Sequence, residues 1–414
     1  MVDDDIMFSL ASVSKTVTAT ALMQLWEQGY FLLDDSINDY LPFNVVHPDH
    51  PFTSITFKML LTHTSGIKDR WSVMTYYDGD PLLELGYFLE EYLVQGGEFY
   101  SQNACYTNFE PGTSSDYSNI GAALIGFLVE SISGQPFNEY CNENIFGPLE
   151  MENAAWFLYE LDVEQVAVPY RLIGGNGDNC YEIGCGIYDN SNPCFCDYEC
   201  IEFGDCCSDF EEVCGEDGSG NPDGTIVLSE YNHYGYADYP SGQLRCSAKD
   251  LSKFMSAYMN GGAYNGVHIL ESETIEYMKE IPFPDIDEKQ GLMWYYKNQN
   301  NRLLFGHNGG DLGTSTEMFI SFSNDIGVIV LSNFSNYFSV VSIESAVFDF
   351  AEGNDFIQLG DVNSDGIINV LDVVAVVSII LSSGEYINLA DINSDGDIDV
   401  LDIVQMINVI LGNA

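Results

Sequence analysis

Residues 8–19 read Phe-Ser-Leu-Ala-Ser-Val-Ser-Lys-Thr-Val-Thr-Ala and contain a Ser-x-x-Lys motif, formed by Ser12 and Lys15. Apolar residues recur at helical spacing over residues 12–28, and Gly29 predicts the end of that helix. Because residues three apart share one face of a helix, the Ser12 hydroxyl can lie within hydrogen-bond reach of the Lys15 amine. A serine hydroxyl is a weak nucleophile until a neighbouring group accepts its proton. The motif therefore indicates a nucleophile and a group that activates it.

Three motifs further along the chain strengthen this interpretation. They are Leu-Leu-Thr-His-Thr-Ser-Gly at 60–66, Tyr-Ser-Asn at 117–119 and Gly-His-Asn-Gly at 306–309. Their order and long spacings resemble the class C β-lactamases and the related penicillin-binding proteins, D-peptidases and esterases. The resemblance covers residues 3–350 apart from an insertion. It implies an α+β fold in which helices flank an antiparallel sheet, with an all-α lobe and the active site between the two.

The resemblance also implies the chemical roles of the matched residues. Ser12 would attack a substrate carbonyl and become acylated, and Lys15 and Tyr117 would share the proton transfers. Because lysine and tyrosine titrate near pH 10, either one would need a pKa lowered by about 3 units to act as a base near neutrality. Lys15 and His307 beside Tyr117 would supply the positive potential for such a shift. The sequence leaves open which of the two is the base.

Other matched residues would bind the substrate. Asn119 would orient the substrate amide, and His307 would lie on the strand at the edge of the site. The backbone N–H groups of Ser12 and Gly310 would form the oxyanion hole, and no cofactor is expected for catalysis. Esters, D-amino-acid peptides and β-lactams all suit such a site. His307 stands where β-lactamases usually carry lysine and threonine, which favours an esterase or a peptidase.

Local patterns predict the remaining elements of this part of the chain. Apolar periodicity predicts helices at 118–133, 248–260 and 270–280. Short β-rich segments separated by Gly, Asn and Asp predict an antiparallel meander at 291–297, 302–307, 315–322 and 326–332. His63 lies within a turn, and we expect it to be structural.

The charge balance excludes some classes of function. The chain has 64 acidic residues against 12 lysines and arginines, for a formal net charge of −52. Binding of a nucleic-acid backbone needs clustered Lys and Arg, so a nucleic-acid partner is not expected. No stretch approaches the roughly 20 apolar residues of a membrane-spanning helix. The acidity indicates a surface adapted to a salty or calcium-rich medium, metal ligands, or both.

The start of the chain does not fit the rest. Residues 1–11 lack the basic start and the apolar stretch of a signal peptide, although the cysteine content favours an oxidising, extracellular compartment. In the resembled family a helix and two sheet strands precede the nucleophile, whereas here only 11 residues do. We therefore expect a secreted protein with a truncated N terminus, an incomplete central sheet and reduced stability.

A cysteine cluster marks an insertion. Eight of the 11 cysteines lie in residues 180–214, without a Cys-x-x-Cys pair or a histidine, which favours disulfides over zinc. The adjacent Cys-Cys and the acidic and aromatic residues after it resemble a somatomedin B domain, here at 176–218. The resemblance implies a module that binds a protein ligand, the alternative being a stabilised loop. It also implies the disulfides Cys180–Cys196, Cys185–Cys214, Cys194–Cys207 and Cys200–Cys206. The three remaining cysteines are Cys105, Cys141 and Cys246. Because their number is odd, at least one is free or pairs outside the chain.

Two acidic segments near the C terminus form a repeat with an offset of 30 residues. Each places oxygen ligands at positions 1, 3, 5, 7, 9 and 12 of a calcium loop, with glycine at position 6 for the sharp turn. One apolar helix follows each loop, at 371–381 and at 401–411. The combination resembles a dockerin module. It implies two Ca²⁺ ions, bound by Asp361, Asn363, Asp365, Ile367, Asn369 and Asp372 and by Asp391, Asn393, Asp395, Asp397, Asp399 and Asp402.

The predicted organisation is a β-lactamase-like hydrolase domain at 1–352 with its insertion, a linker at 353–358 and the dockerin module at 359–414. A dockerin implies a cohesin-like scaffold protein as partner, and by analogy a polysaccharide-associated setting. The Val-Leu pair after the ninth position of each loop is identical in both repeats but apolar where many dockerins carry Ser-Thr, which leaves the partner type open. The alternative is a non-catalytic adhesion or scaffold protein that uses the two small modules. The complete set of Ser12, Lys15, Tyr117 and His307 argues against it.

Overall fold

The computed structural model describes residues 4–173, Cys206 and 227–353, and near the C terminus Gly360, Val362, 368–382, 388–390, Ile392 and 398–410. The chain divides into two units, Met1–Glu344 and Ser345–Ala414. The described helices are α1 (Ser14–Glu27), α2 (Phe57–Leu61), α3 (Leu85–Leu93), α4 (Gln102–Cys105), α5 (Asn119–Ser133), α6 (Phe137–Cys141), α7 (Ala248–Met259), α8 (Ser272–Lys279), α9 (Tyr337–Gly353), α10 (Val370–Ser382) and α11 (Val400–Ile410). The described strands are β1 (Met7–Ser9), β2 (Tyr77–Asp78), β3 (Ala154–Ala155), β4 (Tyr170–Ile173), β5 (Val227–Glu230), β6 (Tyr234–Gly235), β7 (Arg245–Ser247), β8 (Ala263–Tyr264), β9 (Val267–His268), β10 (Tyr295–Gln299), β11 (Arg302–Asp311), β12 (Thr314–Ser321) and β13 (Ile326–Ser332).

The helix after the candidate nucleophile is buried along most of its length. A short 3₁₀ turn, Ala11–Val13, contains Ser12, so α1 begins at Ser14 and not at Ser12 as predicted. Buried residues run without a break from Ser14 to Leu25, and α1 packs against α5. Gly29 follows the helix with a φ of 78°, a conformation that glycine adopts without steric penalty. The candidate site is therefore built on a helix inside the core.

The predicted meander forms an antiparallel sheet in the order β10-β11-β12-β13. β11 is longer than predicted and continues to Asp311, which brings Gly310 into the sheet. β10 begins later than predicted, at Tyr295, because a turn precedes it in which the Gly291 N–H donates to the Trp294 carbonyl at 2.8 Å. The meander is thus confirmed, and its second strand leads to the candidate site.

α5 connects the helical part of this unit to the candidate site. Its N-cap Ser118 accepts a hydrogen bond from a backbone N–H of the first turn (2.8 Å), and Gly134 ends the helix with a φ of 74°. At Gly126 a Cβ atom would lie 2.6 Å from Pro240. This close approach holds the loop 238–241 between α5 and α1. The helix predicted at 118–133 is confirmed.

A second sheet and two helices complete the described part of the larger unit. β1, β7 and β3 form an antiparallel sheet in the order β1-β7-β3. The helices predicted at 248–260 and 270–280 are confirmed as α7 and α8. Among the described residues no single helix is long and apolar enough to cross a membrane, and α5 with the segment Phe137–Phe146 meets this criterion only as a pair bent by 80°. Helices around antiparallel sheets agree with the predicted α+β fold.

The cysteine cluster lies outside the described residues except for Cys206, which is disulfide-bonded. The somatomedin-like insertion and its four pairings therefore stay predictions. The strands on either side of this segment, β4 and β5, pair with each other in antiparallel orientation. The three cysteines elsewhere in the chain are all free and buried; they are Cys105, Cys141 and Cys246.

The smaller unit contains two apolar helices that pack on each other. α10 and α11 are in contact, and Val376, Ala390 and Met406 form the buried core of the unit. The two helices predicted after the calcium loops are therefore confirmed, each beginning one residue earlier than predicted.

Candidate active site

The turn that carries Ser12 is held in an unfavourable backbone conformation by the sheet. Ala11 has a positive φ of 46°, which is uncommon for a residue with a Cβ atom. β11 lies directly against the turn, so that a Cβ atom at Gly309 would lie 2.4 Å from the carbonyl oxygen of Leu10. Thr316 Oγ1 donates to the same carbonyl at 2.8 Å. Contacts with the sheet therefore fix the position of the Ser12 side chain.

The Lys15 amine contacts the Ser12 hydroxyl, as the motif spacing predicts. Lys15 Nζ donates to Ser12 Oγ at 2.9 Å, to Asn119 Oδ1 at 2.7 Å and to the Ser241 carbonyl oxygen at 2.7 Å. These contacts use all three N–H donors of a protonated lysine. Because the side chain is also completely buried, its orientation towards Ser12 is fixed.

The environment of Lys15 favours the neutral amine. Burial lowers its pKa from 10.5 to about 7, because an ammonium ion loses its hydration in the core. The carboxylates of Asp69, Asp238 and Asp311 raise the pKa in part. None of the ion pairs among the described residues includes Lys15, so the effect of burial dominates. A group with such a pKa can accept a proton near neutral pH.

Asn119 is held in place by Asp69. The Asp69 carboxylate accepts hydrogen bonds from Asn119 Nδ2 (2.7 Å) and from the backbone N–H groups of Asn119 (3.1 Å) and Ile120 (3.1 Å), at the N terminus of α5. Burial raises the pKa of Asp69, and the backbone hydrogen bonds lower it in part. Because Nδ2 is turned towards Asp69, Asn119 presents its Oδ1 to Lys15.

Tyr117 lies over the pair formed by Ser12 and Lys15. Lys15 Nζ lies 4.8 Å from the centre of its ring, and hydrogen bonding to Ser12 lowers the pKa of Tyr117 in part. The His63 ring packs on it at 4.4 Å, and His63 Nδ1 accepts the Ser118 N–H at 3.2 Å. The ring is part of the exposed rim, since 45% of the residue is accessible. Loss of hydration raises the pKa of Tyr117, which favours the neutral phenol.

His307 lies beside Tyr117 on β11 but is neutral, so the expectation that it supplies positive potential is wrong. The two ring centres are 6.3 Å apart. Burial, followed by the charge of Lys15, lowers the pKa of His307 to about 3. Nδ1 lies 2.5 Å from the Asn308 carbonyl oxygen. A neutral ring must carry its proton on Nδ1 to donate there, which leaves Nε2 as an acceptor.

Two cavities meet at Ser12, and Tyr117 and Gly310 line both of them. One, of about 320 Å³, extends along His307 and Tyr295. The other, of about 220 Å³, includes Asn119. It is also lined by residues that the sequence did not predict, namely Trp71, Met74, Tyr76, Tyr236, Asp238 and Asp311.

Sequence reasoning missed the acidic residues around Lys15. Asp69, Asp238 and Asp311 come from three separate segments, and all act on Lys15 electrostatically. The chain has 64 acidic residues, so no single carboxylate stands out in the sequence. Asp311 had a local signal, because it directly follows the Gly-His-Asn-Gly-Gly segment at 306–310.

The fold and the arrangement around Ser12 agree with the penicillin-recognising family of serine hydrolases. Residues 1–350 match the model of the Beta-lactamase family, and the chain belongs to this family. Residues 359–411 match the Dockerin type I domain, so a dockerin domain follows the hydrolase domain.

Curated relatives with similar sequences include penicillin-binding proteins. The chain is 24% identical over 332 residues to Penicillin-binding protein 4* of Bacillus subtilis (strain 168), which covers 79% of this chain and 60% of the relative. It is 30% identical over 153 residues to Penicillin-binding protein 4 of Amycolatopsis lactamdurans, which covers 37% of each. The chain thus spans less than two thirds of the length of these relatives.

Solved structures show the same fold. A penicillin binding protein from Bacillus halodurans has a TM-score of 0.57 at 21% identity, over 84% of this chain and 87% of that chain. The D-amino acid amidase from Ochrobactrum anthropi SV3, complexed with D-phenylalanine, has a TM-score of 0.59 at 18% identity, over 85% of this chain and 86% of that chain. At these identities the likeness concerns the fold alone.

The described part of the dockerin domain fits calcium ligation. Asp372 and Asp402, the ligands predicted at position 12, are completely buried. Asp372 accepts the Asn369 N–H at 2.9 Å and Asp402 accepts the Asp399 N–H at 2.8 Å, so positions 9 and 12 meet in both repeats. Carboxylate and amide oxygens at these positions are hard ligands that suit Ca²⁺. The other predicted ligands lie outside the described residues.

Proposed function

We propose that the N-terminal domain is a hydrolase that forms an acyl-Ser12 intermediate and transfers the acyl group to water. The observation that carries this proposal is the buried Lys15 amine, which lies 2.9 Å from Ser12 Oγ and has its pKa lowered to about 7. An amine that can be neutral near pH 7 is a suitable base for a serine hydroxyl.

In the proposed reaction, Lys15 Nζ accepts the Ser12 hydroxyl proton while Oγ attacks the substrate carbonyl. The bond between the carbonyl carbon and the leaving group then breaks, and the leaving group receives a proton through Tyr117. Water attacks the acyl-Ser12 ester, releases the acid and restores the Ser12 hydroxyl. The backbone N–H groups of Ser12 and Gly310 would bind the oxyanion. The raised pKa of Tyr117 supports Lys15 as the base and neutral Tyr117 as a proton donor.

We infer that the substrate is an ester or a D-amino-acid peptide or amide, with β-lactams as a third class of acyl donor. The likeness to a D-amino acid amidase and to penicillin-binding proteins supports this choice. Asn119 would orient the substrate amide, and the neutral His307 would be a hydrogen-bond acceptor in the cavity of about 320 Å³, where we expect the leaving group to lie.

The dockerin would attach the secreted enzyme to a cohesin-like partner, in a polysaccharide-associated assembly, when both loops hold Ca²⁺. The Val-Leu pairs that begin α10 and α11 support this proposal, because about 60% of each residue is exposed; the residues are Val370, Leu371, Val400 and Leu401. The somatomedin-like insertion would bind a separate protein ligand.

A fluorophosphonate probe tests the proposal most directly. We expect the wild-type chain to be labelled and the Ser12→Ala variant to be unlabelled. Ser131→Ala, on the exposed side of α5, is the matched control and should be labelled like the wild type. p-Nitrophenyl esters, D-alanyl peptides and a chromogenic β-lactam then rank the substrate classes. A folded wild-type protein that is not labelled would contradict the proposal.

A further inference from the structure

The 220 Å³ cavity beside Ser12 has an unusual combination of walls. Asp238 and Asp311 contribute two carboxylates, and Trp71, Tyr76 and Tyr236 contribute aromatic rings. The rings of Tyr76 and Tyr236 are 5.8 Å apart and perpendicular, at 89°. In such a perpendicular pair, one ring can present its face to a ligand while the edge of the other ring packs against the first ring.

In the part of the chain that the structure describes, neither carboxylate forms an ion pair, although the charge of Lys15 acts on both. Asp238 is buried and accepts the Ser241 hydroxyl at 3.0 Å, whereas Asp311 accepts the Tyr76 hydroxyl at 2.7 Å and the Leu312 N–H at 2.8 Å. None of the ion pairs among the described residues includes either one. Buried carboxylates are normally paired with a cation, because burial without one is costly.

The basic side chains near this cavity donate their hydrogen bonds to other acceptors. Lys15 donates to Ser12, Asn119 and Ser241, which uses its three donors. Arg245, whose charge acts on Asp311, donates to three backbone carbonyls, those of Trp156, Tyr234 and Gln243. A cation that enters the cavity would therefore face two carboxylates to which no described lysine or arginine side chain donates a hydrogen bond.

The chemistry of the walls favours an organic ammonium over a metal ion. Among the described residues, no three acidic, His or Cys side chains are grouped closely enough to hold a metal. Aromatic faces attract ammonium groups through their quadrupole, and carboxylates accept their hydrogen bonds. Asn119, which would orient the substrate amide, lines this cavity and not the cavity along His307, so a group bound here belongs to the acyl part of the substrate.

We propose that this cavity binds the protonated amine of the acyl group, so that the preferred substrates are aminoacyl amides or esters with a free ammonium rather than N-acylated ones. This inference rests on the proposed acyl-Ser12 chemistry and names its substrate class. Asp238 and Asp311 are the specificity-determining residues, and the aromatic rings line the same cavity, with the Tyr76 hydroxyl donating to Asp311.

The test compares five p-nitroanilides: the free amine and the N-acetyl compound of D- and of L-phenylalanine, and the achiral 3-phenylpropionyl compound that lacks the amine. We expect kcat/KM for the free amine of one enantiomer to be about 10- to 100-fold higher than for its N-acetyl compound and for the 3-phenylpropionyl compound. Because the charges of Asp238 and Asp311 also act on Lys15, the readout is a ratio: Asp238→Asn and Asp311→Asn should each lower the ratio of kcat/KM for the free amine to kcat/KM for the 3-phenylpropionyl compound by about 10- to 100-fold. Glu90→Gln, an exposed acidic residue on α3, is the matched control and should retain the preference.

A second measurement uses the wild-type chain alone. 2-Phenylethylamine should slow the labelling of Ser12 by a neutral fluorophosphonate, and 2-phenylethanol of the same shape should not. If Ser12 is labelled but the amine gives neither protection nor faster hydrolysis, the ammonium site is wrong and the hydrolase proposal stands. An equal loss of all substrates in both Asp variants would also overturn the ammonium site. If Ser12 is not labelled at all, the hydrolase proposal itself fails.

Discussion

Two lysines in the N-terminal unit, the buried Lys15 and the partly buried Lys297, lie in opposite electrostatic environments. Lys15 donates only to a hydroxyl, an amide and a backbone carbonyl, all of them neutral. Lys297, on β10, has its Nζ 2.7 Å from Glu317 and 2.7 Å from Glu344, and both carboxylates are completely buried. The same amine lies 3.6 Å from the centre of the Phe319 ring.

The difference separates a lysine that can react from one that stabilises the fold. Neutral acceptors compensate an ammonium ion poorly, so burial lowers the pKa of Lys15 to about 7. In the Lys297 cluster the effect of burial appears in the carboxylates: it raises the pKa of Glu317 to about 7 and raises that of Glu344, while Lys297 lowers both. Without Lys297, both Glu317 and Glu344 would be buried with no cation to compensate their charge.

The largest expected effect is on catalysis at Lys15. Lys15→Met should lower kcat/KM by roughly 10²- to 10⁴-fold, because the Ser12 proton then has no acceptor. Steady-state kinetics and fluorophosphonate labelling measure the loss. Lys297→Met, assayed where it is folded, should keep most of its activity. Comparable activity losses in the two variants would show that the two lysines do not differ in the proposed way.

The next effect is on stability at Lys297. Lys297→Met should lower the free energy of unfolding by about 3–5 kcal/mol, because Glu317 and Glu344 lose their shared cation. Urea denaturation followed by circular dichroism measures it. Adding Glu317→Gln and Glu344→Gln should restore most of the loss, and a single variant as stable as the wild type would contradict the structural role.

A smaller effect is expected at Asp69, which holds Asn119 in place and whose charge also raises the pKa of Lys15. Asp69→Ala should lower kcat/KM by about 10- to 100-fold, since Asn119 would no longer be held with Oδ1 towards the amine. Asp34→Ala, at an exposed carboxylate that pairs with Lys58, is the control. If Asp69 positions Asn119, then the rate of Ser12 labelling should fall with kcat/KM; a change in KM alone would assign Asp69 to substrate binding instead.

The pH dependence of Ser12 labelling should report Lys15. Below its pKa of about 7 the amine is protonated and cannot accept a proton, so the rate should rise about tenfold per pH unit up to neutrality and then level off. Labelling with a neutral fluorophosphonate between pH 5 and 9 measures the curve. Lys297→Met should leave its midpoint unchanged. A rate that does not depend on pH in this range would exclude Lys15 as the base.

The dockerin domain offers a third case, in which the predicted counter-ion of the buried carboxylates Asp372 and Asp402 is Ca²⁺ and not a lysine. Chelation of Ca²⁺ should unfold α10 and α11, because Asp372 and Asp402 are buried and their predicted counter-ion would be absent. Far-UV circular dichroism and thermal melting of the whole chain should change, while Ser12 labelling should stay constant. Unchanged spectra and melting in chelator would contradict calcium-dependent folding of this domain.

Features that depend on local pattern were predictable. The α1 and α5 helices and the four-stranded meander follow from side-chain periodicity and from Ser, Gly and Asn at their ends, and each is present within a few residues. The strand bounds were less accurate, because hydrogen bonding in a turn such as Gly291–Trp294 decides where pairing starts.

By itself, the sequence determined the pairing of Ser12 with Lys15, since residues three apart meet on one turn whatever surrounds them. The tertiary structure alone decided that Lys15 has neutral acceptors, that His307 is neutral and that Asp69, Asp238 and Asp311 surround the site. The physical reason is that a pKa depends on burial and on charges from distant segments, which only the folded chain brings together. The sequence thus placed Ser12 beside its candidate base, and packing set the pKa on which the proposed reaction depends.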